Sequence, residues 1–115
     1  MHRPLSQQPH PPELERLRSR IDDIDAGLID LIATRLELTR EAVAVKEANG
    51  LPREDLAREA AEVRRASTLA RRRGVEPEVA RDVFWRLIGL SRWATAQKAD
   101  SPANGVPGDE AGASR

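Results

Sequence analysis

The chain has 115 residues, enough for one domain with a modest core, and its nineteen Lys and Arg are balanced by nineteen Asp and Glu. Neutrality leaves no field to hold a nucleic-acid backbone or an anionic membrane surface, and the absence of cysteine excludes a disulfide framework and thiolate chemistry. The only histidines, His2 and His10, fall in a leader that makes no metal site, and no apolar run is long enough to span a bilayer, so the expectation is a soluble cytoplasmic protein.

In chain order, residues 1–12 are rich in Pro, Gln and His and read as a disordered leader. From there Leu14, Leu17, Ile21, Ile24, Leu28, Leu31, Arg35, Leu38, Ala42 and Val45 alternate steps of three and four, the stripe of a core-facing helix. Pro11 and Pro12 suit its start, and Asn49-Gly50 followed by Pro52 gives it a left-handed stop. Such a helix is roughly 35 residues and about 50 Å long, whereas a compact domain of this size has a radius of gyration near ~13 Å. It must overhang, and an overhanging apolar stripe is expected to be covered by a second copy, the two first helices packing along each other. Gly27 then marks either a close helix crossing or a tolerated surface glycine.

A second helix is expected from about Asp55, whose side chain caps free N–H groups, with Leu56, Ala60, Val63, Ser67 and Ala70 inward and Gly74 ending it. Pro77 opens a third, carrying Val79, Val83, Phe84, Leu87, Ile88 and Leu90, with Ser91 and Thr95 one turn apart. Residues 99–115 read as a disordered tail, and no segment alternates like a strand. The expected fold is all-α, three helices, one long and two shorter, spanning residues 13–98 in an intertwined antiparallel homodimer.

Arg35 stands where the stripe calls for an apolar residue, and a charge there is costly without a partner. Lys46 lies eleven residues on, about 16 Å along the axis at nearly the same angular position, so the two side chains can clasp one small anion. Arg18 precedes Lys46 by 28 residues, roughly 42 Å on the same helix, and reaches that anion only from a second, antiparallel chain. Blander readings stand beside these: solvated surface charges for Arg18, Lys46, Arg58 and Glu59, a structural ion pair of Arg35 with Asp55 or Glu59, and hydroxyls of Ser91 and Thr95 bonded one turn back.

The ordered set Leu17-Arg18-x-x-Ile21-Asp22-x-Ile24-Asp25-x-x-Leu28, Arg35, Lys46, Pro52, Asp55-x-x-Arg58-Glu59, Gly74 and Phe84-x-x-Leu87-Ile88-x-x-Ser91 resembles the all-helical chorismate mutase family over about three quarters of the chain. The resemblance implies a homodimer with two sites, each completed by Arg18 of the other subunit, that converts chorismate to prephenate on the way to phenylalanine and tyrosine. That reaction is an intramolecular [3,3] rearrangement without nucleophile, proton transfer or cofactor, so catalysis reduces to holding the compact conformer and stabilising its charge separation. By resemblance, Arg18 of the partner and Arg35 fork onto the two carboxylates, and Ser91 and Arg58 place the ring side. Lys46 donates to the ether oxygen, and Glu59, with the backbone near Asp55, accepts from the ring hydroxyl.

One position departs from the family pattern. A Gln commonly stands four residues after the Ser91 position as a second donor to the ether oxygen; here it is Thr95, with Gln97 about 200° further round the helix. Turnover lower than with the full set is therefore expected, and activation by docking onto the enzyme that begins the aromatic pathway is a family precedent for incomplete sites. Relatives of this fold act on 4-amino-4-deoxychorismate or isochorismate; Glu59 favours chorismate by accepting from its ring hydroxyl. The rival from another class is a non-catalytic helical dimer that binds an aromatic-pathway metabolite, or a plain scaffold.

Overall fold

Residues 11–100 are described by the computed structural model and form three helices, α1 (Pro12–Ala48), α2 (Leu56–Arg72) and α3 (Pro77–Asp100), with no strand among them. His2, His10 and nearly all of the anticipated leader and tail lie outside the described residues; α1 already includes Pro12, and α3 continues through Asp100. No helix among the described residues is long and apolar enough to cross a membrane.

The helix ends follow the residues expected to make them. In α1, Glu13 and Glu15 occupy the first turn and Lys46 the last, which complements the helix dipole at both ends. Gly50 takes a left-handed φ of 67°, and the Leu51 and Gly50 N–H groups bond the carbonyls of Lys46 at 2.8 Å and Glu47 at 3.2 Å. This paired pattern stops the helix and satisfies its last carbonyls. The same device closes α2, where Gly74 has φ 72° and Val75 and Gly74 bond Ala70 at 2.9 Å and Arg71 at 3.3 Å. Asp55 caps α2, its Oδ1 accepting from the Arg58 N–H at 3.0 Å.

By packing, the chain divides into two units with the boundary between Thr34 and Arg35. The first holds the leading part of α1, with Leu17, Ile21, Ile24, Leu28 and Leu31 all exposed, the last by 69%. Nothing lies within 4 Å of where a Cβ on Gly27 would stand, so no contact within the chain requires glycine there.

In the second unit α2 packs on α3. The core consists of Val63, Ala66 and Ala70 from α2 with Ile88 and Ala94 from α3, and Ser67 and Ser91 are buried among them. Small side chains dominate, which lets two helices approach closely and leaves the hydroxyls as the polar features of the seam. No residue of α1 is buried, so its stripe is not a core-facing one within a single chain. Two expectations differ from this core. Leu56 is 65% exposed at the start of α2, before the seam begins, while Ala66 joins the core. In α3 the packed line is Ile88, Ser91 and Ala94, spaced by three, and Val79, Val83 and Leu90 lie off it and stay exposed.

Candidate active site

A groove of about 870 Å³ opens in the second unit, walled by the trailing part of α1, the turn before α2, the outer face of α2, and α3. Arg35, Lys46, Asp55, Arg58, Glu59, Ser91 and Thr95, all named from the sequence, line it together. Its wall carries six cations (Arg35, Lys46, Arg53, Arg58, Arg65 and Arg92) against four anions (Glu54, Asp55, Glu59 and Glu62), a surplus of two positive charges. Such a wall is matched to a small dianion. Arg18 belongs to the first unit, where it pairs with Glu15 at 3.5 Å on an exposed face.

Arg35 has the partner that its place in an apolar stripe demands, but the partner is neither Asp55 nor Glu59. Its Nη2 donates to Glu62 Oε1 at 2.8 Å and its Nη1 to Ser91 Oγ at 3.3 Å, and the guanidinium lies over the Phe84 ring, 6.0 Å from its centroid. With 30% of its side chain exposed, Arg35 keeps a face toward the groove. The other oxygen of Glu62 accepts from Arg58 Nε at 3.0 Å, so one carboxylate bridges two guanidiniums. Ser91 contributes its hydroxyl from the buried seam, an anchored donor and acceptor at the groove floor.

Lys46 sits in the last turn of α1 and donates from Nζ to the Arg53 carbonyl at 3.1 Å. Arg53 in turn donates from Nη2 to the Thr95 carbonyl at 3.0 Å, tying the turn to α3. Glu59, in the first turn of α2, is gripped by Arg92 through both carboxylate oxygens, Nε meeting Oε2 at 3.1 Å and Nη2 meeting Oε1. That contact, hydrogen bonding first and charge attraction second, raises the Arg92 guanidinium further above its ordinary range. The Thr95 hydroxyl donates back to the carbonyls of Ser91 at 2.9 Å and Arg92 at 3.1 Å, so in this rotamer it is spent on its own helix.

Among the wall residues that escaped sequence reasoning, Glu62, Arg92 and Arg53 hold the named site residues in place. Glu62 had a local signal, since it stands four residues after Arg58 and so shares its face of α2. Arg92 and Arg53 had none, because their partners Glu59 and Thr95 lie 33 and 42 residues away in sequence.

Among known proteins, the family model for chorismate mutase type II matches residues 17–94. The T-protein of Enterobacter agglomerans is 41% identical over 76 residues, 66% of this chain and 20% of that protein. The T-protein of Haemophilus influenzae is 37% identical over 75 residues, 65% of this chain and 20% of its own length. The chain thus spans about a fifth of the length of the curated relatives it matches.

Proposed function

The chain belongs to the chorismate mutase type II family, a family of isomerases, and we propose that it converts chorismate to prephenate in a groove shared between two copies. The observation that carries this reading is the meeting of Arg35, Lys46, Arg58, Glu59 and Ser91 in one groove with a surplus of two positive charges. Chorismate is a dicarboxylate, and its rearrangement asks a protein for placed cations rather than for an acid, a base or a nucleophile.

The proposed roles follow from the donors that the groove offers. Arg35 forks onto one carboxylate, its plane held by the Ser91 hydroxyl and the Phe84 ring. Lys46 stabilises the ether oxygen as its bond to the ring breaks; an ammonium beside charge that develops acts more strongly on the transition state than on the substrate. Glu59 accepts from the ring hydroxyl while Arg92 holds its carboxylate still. Asp55 keeps the start of α2, and with it Arg58 and Glu59, in place. Arg18 completes the site from a partner whose first helix runs antiparallel and covers Leu17, Ile21, Ile24, Leu28 and Leu31, which no element of a single chain buries.

A second reading, weak or partner-activated catalysis, is favoured by one observation: the Thr95 hydroxyl is bonded to its own helix and offers no donor to the groove in this rotamer. Turnover of chorismate, isochorismate and 4-amino-4-deoxychorismate, measured side by side by absorbance, tests both. The expected result is activity on chorismate that Arg35→Ala abolishes and Lys46→Ala lowers by roughly 10²- to 10³-fold. Stabilisation by chorismate without turnover would identify a metabolite sensor instead, and an unmoved melting temperature would remove the small-molecule site altogether.

A further inference from the structure

Glu62 has no task in a rearrangement that moves no proton, yet it holds a central place in the groove. Its two oxygens accept from Arg35 Nη2 at 2.8 Å and from Arg58 Nε at 3.0 Å, and its side chain is 25% exposed. A carboxylate set between two guanidiniums makes the contact that a ligand carboxylate would make with the same pair. We infer that Glu62 is an internal anion that competes with the ligand for Arg35 and Arg58 and thereby sets how tightly the groove takes dicarboxylates. The inference rests on the proposed function only in taking the ligand to be a dicarboxylate held by these arginines.

The charges explain why such a residue stands there. Two guanidiniums facing one groove repel, and Arg35 is largely covered, so a counter-ion between them offsets the cost of placing both there. Glu62 supplies it. It also lowers the wall's surplus from three positive charges to two, so an entering dianion meets a weaker field. The contrast within the site is Glu59, which is engaged by Arg92 and makes no bond to Arg35. On Arg35, Nη1 is turned to Ser91 and Nη2 to Glu62, so a ligand carboxylate has to share or displace the bonds that Glu62 holds.

Substrate and transition state both keep two carboxylates, so a competitor for those groups weakens the two alike. It raises KM and leaves kcat alone. Glu62→Gln has the same shape without the charge, and Glu62→Asp keeps the charge on a shorter arm. With chorismate, Glu62→Gln is expected to lower KM about three- to tenfold, in keeping with the strength of a partly covered ion pair, with kcat within about twofold of wild type. Glu62→Asp should not lower it.

The same two variants, titrated with succinate as a non-reacting dicarboxylate and followed by thermal shift, report binding independently of catalysis. Tighter succinate binding by Glu62→Gln, in a protein that does not turn chorismate over, would uphold the competition while removing the proposed reaction. An unchanged or raised KM together with unchanged or weaker succinate binding, in a Glu62→Gln protein that melts like wild type, would overturn it. So would tightening by Glu62→Asp equal to that of Glu62→Gln, because shape rather than charge would then be responsible.

Discussion

Lys46 and Arg53 are joined across the turn between α1 and α2, the Lys46 Nζ lying 3.1 Å from the Arg53 carbonyl oxygen, and Arg53 carries the connection on to Thr95 of α3. The ammonium is therefore held by an exposed carbonyl rather than by a buried carboxylate. Its charge is left uncancelled at the groove, as a donor to a developing anion requires.

Lys46→Ala removes one exposed hydrogen bond, so stability should change by no more than about 1 kcal/mol. Activity should fall far more, by roughly 10²- to 10³-fold in kcat, the loss typical of a donor that meets charge as it forms. Lys46→Arg should not restore it, because a planar fork does not reproduce a compact point charge. Steady-state kinetics on chorismate beside thermal melts separate the two effects; equal damage to stability and turnover would mean that Lys46 is a structural residue.

Arg35 allows stability and activity to be pulled apart by the choice of replacement. Arg35→Ala deprives Glu62 of one of its two partners and the buried Ser91 hydroxyl of a donor, and should cost about 1–2 kcal/mol. Arg35→Leu continues the apolar stripe and sets an apolar side chain near the Phe84 ring in place of the guanidinium, so it should melt closer to wild type. Both should be inactive on chorismate. A Leu variant that retained turnover would show that the carboxylate is held elsewhere.

Lys46 and Arg35 also mark where the amino-acid sequence is explicit and where it falls silent. The extent of α1, its Gly50 stop and the Asp55 cap were legible because each rests on local chemistry or on helical period, whereas the gathering of Lys46, Arg58, Glu59 and Ser91 from three helices was expected only from the family resemblance. The partner of Arg35 was not. Three carboxylates on the first turns of α2, Asp55, Glu59 and Glu62, compete for it, and helical spacing fixes their faces on α2 but not how α2 is turned against α1. How much of α1 is buried within one chain was not legible for a related reason: a stripe reports that a helix has an apolar face, not which chain covers it.

Asp55 has a capping role that a substitution pair can isolate. Asp55→Asn keeps an oxygen for the Arg58 N–H and should leave stability near wild type, whereas Asp55→Ala should lose about 1 kcal/mol, or about 4–8 °C in Tm for a domain of this size. Since Arg58, Glu59 and Glu62 all stand in the first two turns of α2, fraying there should raise KM in the Ala variant. Thermal melts with kinetics below the transition check this. Equal melting of the two variants would remove the cap from the account.

Thr95 is the position at which the groove is short of a donor. Thr95→Gln supplies an amide on a longer arm that is not drawn back to the carbonyls of Ser91 and Arg92. If Lys46 alone serves the ether oxygen, the substitution should raise kcat on chorismate by up to about 10²-fold, the low end of what one such donor contributes. An unchanged kcat would mean either that the Thr95 hydroxyl turns inward when the ligand binds or that the ether oxygen needs no second donor.

The exposed stripe of α1 leads to a test of the shared site by subunit mixing. If each groove takes Arg35 from one copy and Arg18 from the other, Arg18→Ala and Arg35→Ala are each inactive for different reasons. Mixing the two under conditions that let subunits exchange makes about half of the dimers mixed, and in every mixed dimer one site carries both defects while the other carries neither. Activity should therefore return to about a quarter of the wild-type value, a figure fixed by symmetry when both substitutions are inactive on their own. Ile24→Asp places a charge in the middle of the stripe, 65% exposed in the single chain, and should yield monomers by sedimentation and no turnover. No recovery on mixing, in proteins shown to exchange, would confine the whole site to one chain and return Arg18 to its exposed pair with Glu15.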